Sequence, residues 1–230
     1  METAKILVVE DDADINGLLT AMLKKQGYEV TSAFSGSEAR LCLKNEAFQL
    51  ILLDLMLPGI TGEALIEQIR AEHTMPILVI SAKGQEDKLN ALRMGADDFI
   101  SKPFDVEEVM ARIQAQLRRY TQFSVHKQET GKHRFKGITL DIDAREVKIQ
   151  GNRVAFTSHE FDILRLLLMY PRKVFTRENL FETVWGEPYY GDDNTINVHI
   201  SNIRSKIAQQ DPDNEYIKTV WGVGFKMSDE

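Results

Sequence analysis

The alternation of hydrophobic and polar positions changes character near the middle of the chain. From residue 5 to 119, short apolar runs take turns with stretches of helical spacing. The runs are KILVV (5–9), VTSA (30–33), LILLD (50–54), ILVIS (77–81) and DFIS (98–101). Between them lie 14–26, where Ile15, Leu18, Leu19, Met22 and Leu23 share one stripe, and segments near 36–46, 62–72, 86–94 and 105–119. Unbroken apolar runs mark strands buried on both faces, and their alternation with helices places them in a parallel sheet covered on both sides. The pattern predicts an α/β domain with a five-stranded doubly wound parallel sheet over residues 1–120. Ser35 with Glu38 predicts a capping box on the second helix.

Residues 120–136, YTQFSVHKQETGKHRFK, are polar and lack a period, which places a linker at 121–133 and a second domain at 134–230. There ITLDID and EVKIQ alternate as antiparallel strands do, with Gly151-Asn152 as the expected turn. Helical spacing follows over 158–169, 177–185 and 194–208, and Thr157 with Glu160 predicts a capping box for the first of these. YIKTV, WGVG and FKM close the pattern as a short hairpin, so that three helices and a hairpin make a winged helix-turn-helix domain. The glycines of GVG at 222–224 belong to that hairpin, because a dinucleotide-binding loop needs a helix after it.

Composition narrows the class. The chain has 230 residues, 43% hydrophobic and 27% charged, enough apolar material for real cores. Its apolar runs fall far short of the ~20 residues of a membrane span. METAKILVVEDD turns acidic where a signal peptide needs its apolar stretch, so a cytoplasmic protein without a membrane partner is expected. The single Cys42 excludes an internal disulfide and reads as a small core residue. The net charge of −7 is uneven: residues 1–120 hold 13 Lys+Arg against 19 Asp+Glu, and residues 121–230 hold 15 against 16. Bulk charge therefore makes no case for nucleic acid, and any such case rests on local pattern.

One feature of the first half asks for an explanation. Asp54 ends a run of apolar residues, and no basic residue stands beside it. Glu10, Asp11 and Asp12 end the first run. In open parallel sheets, ligands bind outside the carboxyl ends of the strands. If those strands are neighbours, the carboxylates converge and repel one another unless a cation neutralises them. Hard oxygen ligands with open positions suit Mg2+, which keeps several waters and accepts phosphate oxygens. A carboxylate beside such a metal is prepared to attack phosphorus. Two further strand ends add Ser81, a hydroxyl for a phosphoryl oxygen, and Lys102 in KPF, a point positive charge. A Lys-Pro bond is cis at modest cost, which would turn the ammonium inward. The plainer readings are a turn-forming Asp54 before Pro58-Gly59 and a helix N-cap at Asp12.

VVEDD, LLDLMLPG, VISAKG and GADDFISKPF, with their spacing, resemble the flavodoxin-like receiver domain of two-component response regulators. The resemblance implies that Asp54 accepts a phosphoryl group from a sensor histidine kinase. Glu10, Asp11 and the backbone carbonyl of Met56 would hold Mg2+ with Asp54. Ser81 would be the switch hydroxyl and Lys102 the phosphate-binding lysine, with Phe99 at the switch aromatic, where the family usually has Tyr. It also implies a regulator that catalyses only its own phosphoryl transfer and dephosphorylation. A phosphohydrolase of the haloacid dehalogenase type is disfavoured, because it wants a second Asp two residues after the nucleophile, where this chain has Met56.

In segment 194–208, Ile196, Ile200, Ile203 and Ile207 form one buried stripe. At about 100° per residue the opposite face carries Asn194, Val198, Ser201, Asn202 and Ser205, edged by Asn197 and Arg204 on one side and His199 and Lys206 on the other. Such a face can read base edges while its cations touch phosphates. FTSHEFDILRLLL, VFTRENLFETVWG, NTINVHISNIRSKI and YIKTVWGVGFK resemble the effector domain of the OmpR/PhoB class of response regulators. By that resemblance the helix enters the major groove of double-stranded DNA at tandem or inverted half-sites. Val198 and Asn202 would contact bases, Thr195, His199 and Arg204 phosphates, and loop 186–193 would face RNA polymerase. Ser201, Asn202 and Ser205 stand where the class is often basic, and Trp221 replaces a common wing Arg. Phosphorylation would promote a homodimer through Lys88 with Glu108, Asp98 with Arg112, and Asp97 with Arg119, all six of which are present.

Overall fold

The computed structural model describes residues 3–82, 84–122, 131–186, 189 and 194–229, the side chains of 119–122 excepted. The chain divides into two compact units, Met1–Thr121 and Gln122–Glu230.

The first unit runs β1 (Lys5–Val9), α1 (Ala13–Lys25), β2 (Glu29–Ala33), α2 (Gly36–Asn45), β3 (Leu50–Leu53), α3 (Gly62–Glu72), β4 (Ile77–Ser81), α4 (Gln85–Met94), β5 (Asp98–Ser101) and α5 (Val106–Gln122). All strand pairs are parallel, in the order β2-β1-β3-β4-β5. This is the doubly wound order, whose direction of growth reverses between β1 and β3 and leaves a crevice there. Ile6, Val8, Leu50, Leu52, Leu78 and Ile80 pack with Leu19 and Leu23 of α1 and Val109, Ile113 and Leu117 of α5. The alternate residues Leu7, Ile51, Leu53 and Val79 are equally buried, which is why the strands read as unbroken apolar runs. Asp12 caps α1 through Oδ1, which accepts from Asp14 N (2.9 Å) and Ile15 N (3.0 Å). Half of the expected box at α2 forms: Ser35 Oγ accepts from Glu38 N, but the Glu38 carboxylate reaches back to Phe34 N.

The second unit runs β6 (Lys132–Phe135), β7 (Ile138–Asp141), β8 (Glu146–Ile149), β9 (Asn152–Val154), α6 (Ser158–Met169), β10 (Phe175–Thr176), α7 (Arg177–Trp185), α8 (Thr195–Ala208), β11 (Ile217–Val220) and β12 (Gly224–Met227). β6 to β9 form an antiparallel meander. Its first strand begins inside the stretch expected to be linker, of which residues 123–130 lie outside the described residues. The turn between β8 and β9 falls on Gln150-Gly151 rather than Gly151-Asn152. Ile149 pairs with Asn152, and both turn residues take positive φ (50° and 85°), as a two-residue hairpin loop requires. The capping box at α6 forms as expected, with Thr157 N donating to Glu160 Oε2 (2.9 Å) and Glu160 N to Thr157 Oγ1 (3.4 Å). The closing hairpin gains a third strand, β10, paired with β12. A Cβ on Gly224 would lie 1.9 Å from Phe175 O, so only glycine lets those two backbones meet.

Candidate functional site

The carboxyl edge of the first sheet is set by hydrogen bonds that continue the strand ladder past its end. Asp54 N donates to Val9 O (2.9 Å), Glu10 N to Ala33 O (3.1 Å) and Lys102 N to Ser81 O (2.9 Å). The buried Asn16 ties the loop after β1 in place, its Nδ2 donating to Glu10 O (3.0 Å) and Ala33 O (3.3 Å). Nothing in the sequence pattern singled out Asn16, which is buried on one side of α1 with Leu19 and Leu23, while Leu18, read as part of the stripe, is exposed. A Cβ on Gly62 would lie 2.5 Å from Leu55 Cα and 2.6 Å from Asp54 O, so glycine at the start of α3 lets the helix rest on the loop after β3.

Glu10, Asp11 and Asp54 do converge, with ligand oxygens all within 4.8 Å of one another. Glu10 and Asp54 are buried and Asp11 is exposed. The chain supplies a neutralising cation of its own. Lys102 Nζ lies 2.7 Å from Glu10 Oε2 and 2.6 Å from Asp54 Oδ2, and its peptide bond to Pro103 is cis. The expectation of an acidic cluster with no base at hand therefore holds along the sequence and not in space. Met56 N donates to Asp54 Oδ1 (3.0 Å), and the Met56 side chain is exposed. Burial works against the Asp54 carboxylate, yet the Lys102 and Met56 hydrogen bonds outweigh it and hold its pKa below the ordinary value. Burial, with the Asp54 charge beside it, pushes the Glu10 pKa up despite Lys102. Burial disfavours the Lys102 ammonium, but the two carboxylates outweigh this and raise its pKa. Ser81 Oγ is fully buried without a hydrogen bond among the described residues, close enough to Asp54 to favour the charged carboxylate. Phe99 is buried, so its ring already lies inside the fold.

The donor set fits Mg2+: three carboxylates with oxygens gathered into one small region, one of them open to solvent.

The residues expected at a dimer face divide. Arg112 is closed within its own chain, its Nη1 2.8 Å from Asp98 Oδ2 and its Nη2 3.0 Å from Glu108 Oε1. Lys88 is half-buried and Glu108 exposed. Asp97 departs from expectation. It is fully buried and accepts from Arg70 Nη2 (2.6 Å) and Ile77 N (2.9 Å), while Arg70 also bonds the carbonyls of Gly95 (2.7 Å) and Met75 (2.6 Å). It pins α3 to β4 and β5, which removes it from the surface. The side chain of Arg119, its expected partner, lies outside the described residues.

On α8 the isoleucine stripe is buried as expected, but the buried surface is wider than the stripe. Thr195, Val198 and His199 are buried too. The His199 ring lies 5.3 Å from that of Trp185 and 5.7 Å from that of His159, inside an aromatic cluster shared with α6 and α7. These three residues therefore do not present themselves to DNA as expected. Arg204 is also turned inward: Nε and Nη2 donate to Ile217 O (3.1 and 2.8 Å) and Nη2 to Thr219 Oγ1 (2.8 Å), fastening the helix to β11. Asn194, Ser201 and Ser205 are exposed and Asn202 half-buried. Trp221 is 90% exposed at the hairpin tip. Most of loop 186–193, expected to face RNA polymerase, lies outside the described residues. No helix among the described residues is long and apolar enough to cross a membrane.

Comparison with known proteins gives both halves a family. Residues 6–114 match the response regulator receiver domain, and residues 151–227 the C-terminal domain of transcriptional regulatory proteins. The chain is 39% identical over 225 residues to the uncharacterized transcriptional regulatory protein YcbL of Bacillus subtilis (strain 168), covering 97% of this chain and all of the relative. It is 39% identical over 226 residues to the regulatory protein VanR of Enterococcus faecium, covering 97% of this chain and 98% of the relative. Among solved structures, a cysteine-to-serine mutant of RitR superposes with a TM-score of 0.83 at 26% identity, covering 99% of this chain and all of the other. The chain belongs to the response regulators that join a receiver domain to a C-terminal transcriptional regulatory domain of the OmpR/PhoB type.

Proposed function

We propose that residues 1–120 are a phospho-acceptor unit that controls DNA binding by residues 134–230, and that Asp54 is the acceptor. The observation that carries this is the Lys102 ammonium held 2.6 Å from Asp54 Oδ2 beside the unbonded hydroxyl of Ser81. One oxygen of Asp54 attacks phosphorus of a phosphohistidine on a sensor kinase. The phosphorus–nitrogen bond breaks, its electron pair stays on the imidazole, which leaves neutral because its other nitrogen already carries a proton, and an acyl phosphate remains. Lys102 and Ser81 then serve the new phosphoryl oxygens by charge and hydrogen bond. Mg2+, held by Glu10, Asp11, Asp54 and the Met56 carbonyl, would screen the repulsion between the two anions. The same groups support attack of water on the acyl phosphate, which releases inorganic phosphate, regenerates the Asp54 carboxylate and resets the switch.

The added charge, nearly two units at neutral pH, draws Lys102 from Glu10 and repacks the neighbourhood of Ser81 and Phe99. The surface of α4, β5 and α5 then pairs with a second copy. Arg112 exchanges Asp98 and Glu108 of its own chain for their counterparts across a two-fold axis, and Lys88 meets Glu108. The dimer sets two α8 helices on tandem or inverted half-sites of double-stranded DNA, where the protein meets RNA polymerase, in the cytoplasm. Intact mass after incubation with Mg2+ and acetyl phosphate tests the first step. One phosphoryl group should add to the wild type and none to Asp54→Asn. Addition to both would remove Asp54 from the mechanism.

A further inference from the structure

The solvent side of α8 is unusual in having no cation to offer. Its exposed line consists of Asn194, Ser201 and Ser205, with the half-buried Asn197 beside it. Both cations of the helix are engaged inside the unit, Arg204 on the Ile217 carbonyl and Lys206 on the buried Glu160 carboxylate. A guanidinium fork is the usual reader of guanine, through O6 and N7, whereas an asparagine amide fits adenine, donating to N7 and accepting from N6.

Asn197 is also held in one orientation. Its Oδ1 accepts from Arg177 Nε (3.0 Å), and its Nδ2 donates to Asn194 Oδ1 (3.0 Å). Asn194 stands at the N-cap position but makes no cap hydrogen bond with its side chain, which serves Asn197 instead. An amide oxygen accepts two hydrogen bonds and an amide NH2 donates two. After the clamp, Asn197 keeps one acceptor site and one donor, the pair that an adenine edge requires. Guanine offers two acceptors on that edge and would set O6 against Oδ1. Turning the amide over would set its NH2 against the Arg177 guanidinium.

We infer that Asn197, clamped between Arg177 and Asn194, is a specificity-determining residue that reads the N6/N7 edge of one adenine in each half-site. This rests on the DNA-binding reading above. Arg177 acts as a positioning residue, through the amide.

The test uses the full-length chain treated with acetyl phosphate and Mg2+, selecting from a random duplex library beside Asn197→Ala and Asn197→Asp. The wild-type consensus should contain an A·T pair that vanishes with Asn197→Ala. With Asn197→Asp the preference should move to cytosine, whose N4 amino group donates to a carboxylate. Replacing that adenine by 7-deazaadenine should weaken wild-type binding about tenfold and leave Asn197→Ala unmoved. Arg177→Met should reduce the adenine preference while circular dichroism shows the fold intact. A guanine at the dependent position, one consensus for wild type and both variants, or indifference to 7-deazaadenine would overturn the inference and leave DNA binding standing. Failure of the wild type to enrich any sequence would remove the DNA-binding reading, and this inference with it.

Discussion

Replacing Lys102 with Met keeps the reach of the side chain and removes its charge. In the wild type the ammonium joins Glu10 and Asp54 at 2.7 and 2.6 Å, and the three side chains are 14%, 3% and 5% exposed. Removing one partner of a buried ion pair costs about 3–5 kcal/mol, because the remaining charge is left uncompensated. Here two carboxylates lose their cation at once. Against that, the variant is spared the desolvation of the ammonium, and Asp11 leaves the edge open to water. The low end, about 3 kcal/mol, is the expected loss, equal to roughly two decades in an opening equilibrium. Amide hydrogen exchange over β1 and β3 of the full-length chain reads this directly, free of the second unit. Without divalent cation at neutral pH, protection there should fall about a hundredfold in Lys102→Met. Mg2+ should then restore more protection to the variant than it adds to the wild type, since the metal takes over the role of the lysine and stabilises by mass action. Unchanged protection in the variant, or an equal response of both proteins to Mg2+, would refute the bridge as the element that holds these acids together.

The same triad sets the pH limits of the first unit. The folded pKa of Asp54 is lowered, so its contribution is complete above the ordinary 3.8 and disappears as pH falls through the depressed value. The pKa of Lys102 is raised, so its contribution is complete below 10.5 and disappears as pH rises through the elevated value. Exchange protection of β3 should therefore fail at both extremes in the wild type and lose its alkaline limb in Lys102→Met. Asn16→Ala should cost about 1–3 kcal/mol, because the Glu10 carbonyl loses its Asn16 donor while Ala33 O keeps only Glu10 N, and weaken Mg2+ binding measured by titration calorimetry; unchanged affinity would detach Asn16 from the acid loop. Gly62→Ala should push α3 off the Asp54–Leu55 backbone and lower the thermal midpoint by several degrees, at a cost of about 1–3 kcal/mol. Arg204→Ala should loosen the hairpin and weaken DNA binding alike for all sequences, seen as a parallel shift of affinities; a change in sequence preference would put Arg204 at the bases, against both its inward fastening and the phosphate contact expected of it.

The strand ends were legible because a parallel sheet buried on both faces writes its strands as apolar runs, so Glu10, Asp54, Ser81 and Lys102 each stood where a run stopped. The Lys102 bridge was not legible: it spans 92 residues to Glu10 and 48 to Asp54. Asp97 looked like an exposed acid after α4, and only the tertiary fold brings Arg70, 27 residues earlier, over it. The helical period found the isoleucine stripe of α8 but not its second packed side, which depends on where Trp185 and His159 come to lie. β10, at two residues, is too short to carry a period.

The two tryptophans divide sharply in their surroundings. Trp185 is 1% exposed and stacked on His159 and Phe181, and Trp221 is 90% exposed at the hairpin tip. Both lie in the second unit, so intrinsic tryptophan emission reports on that unit alone. A soluble quencher such as iodide should reach only the outer indole. Its accessibility then becomes a label-free gauge of the wing: shielding of the quenchable fraction on adding duplex DNA would record contact at that one residue, while the inner indole reports whether the domain behind it stays folded.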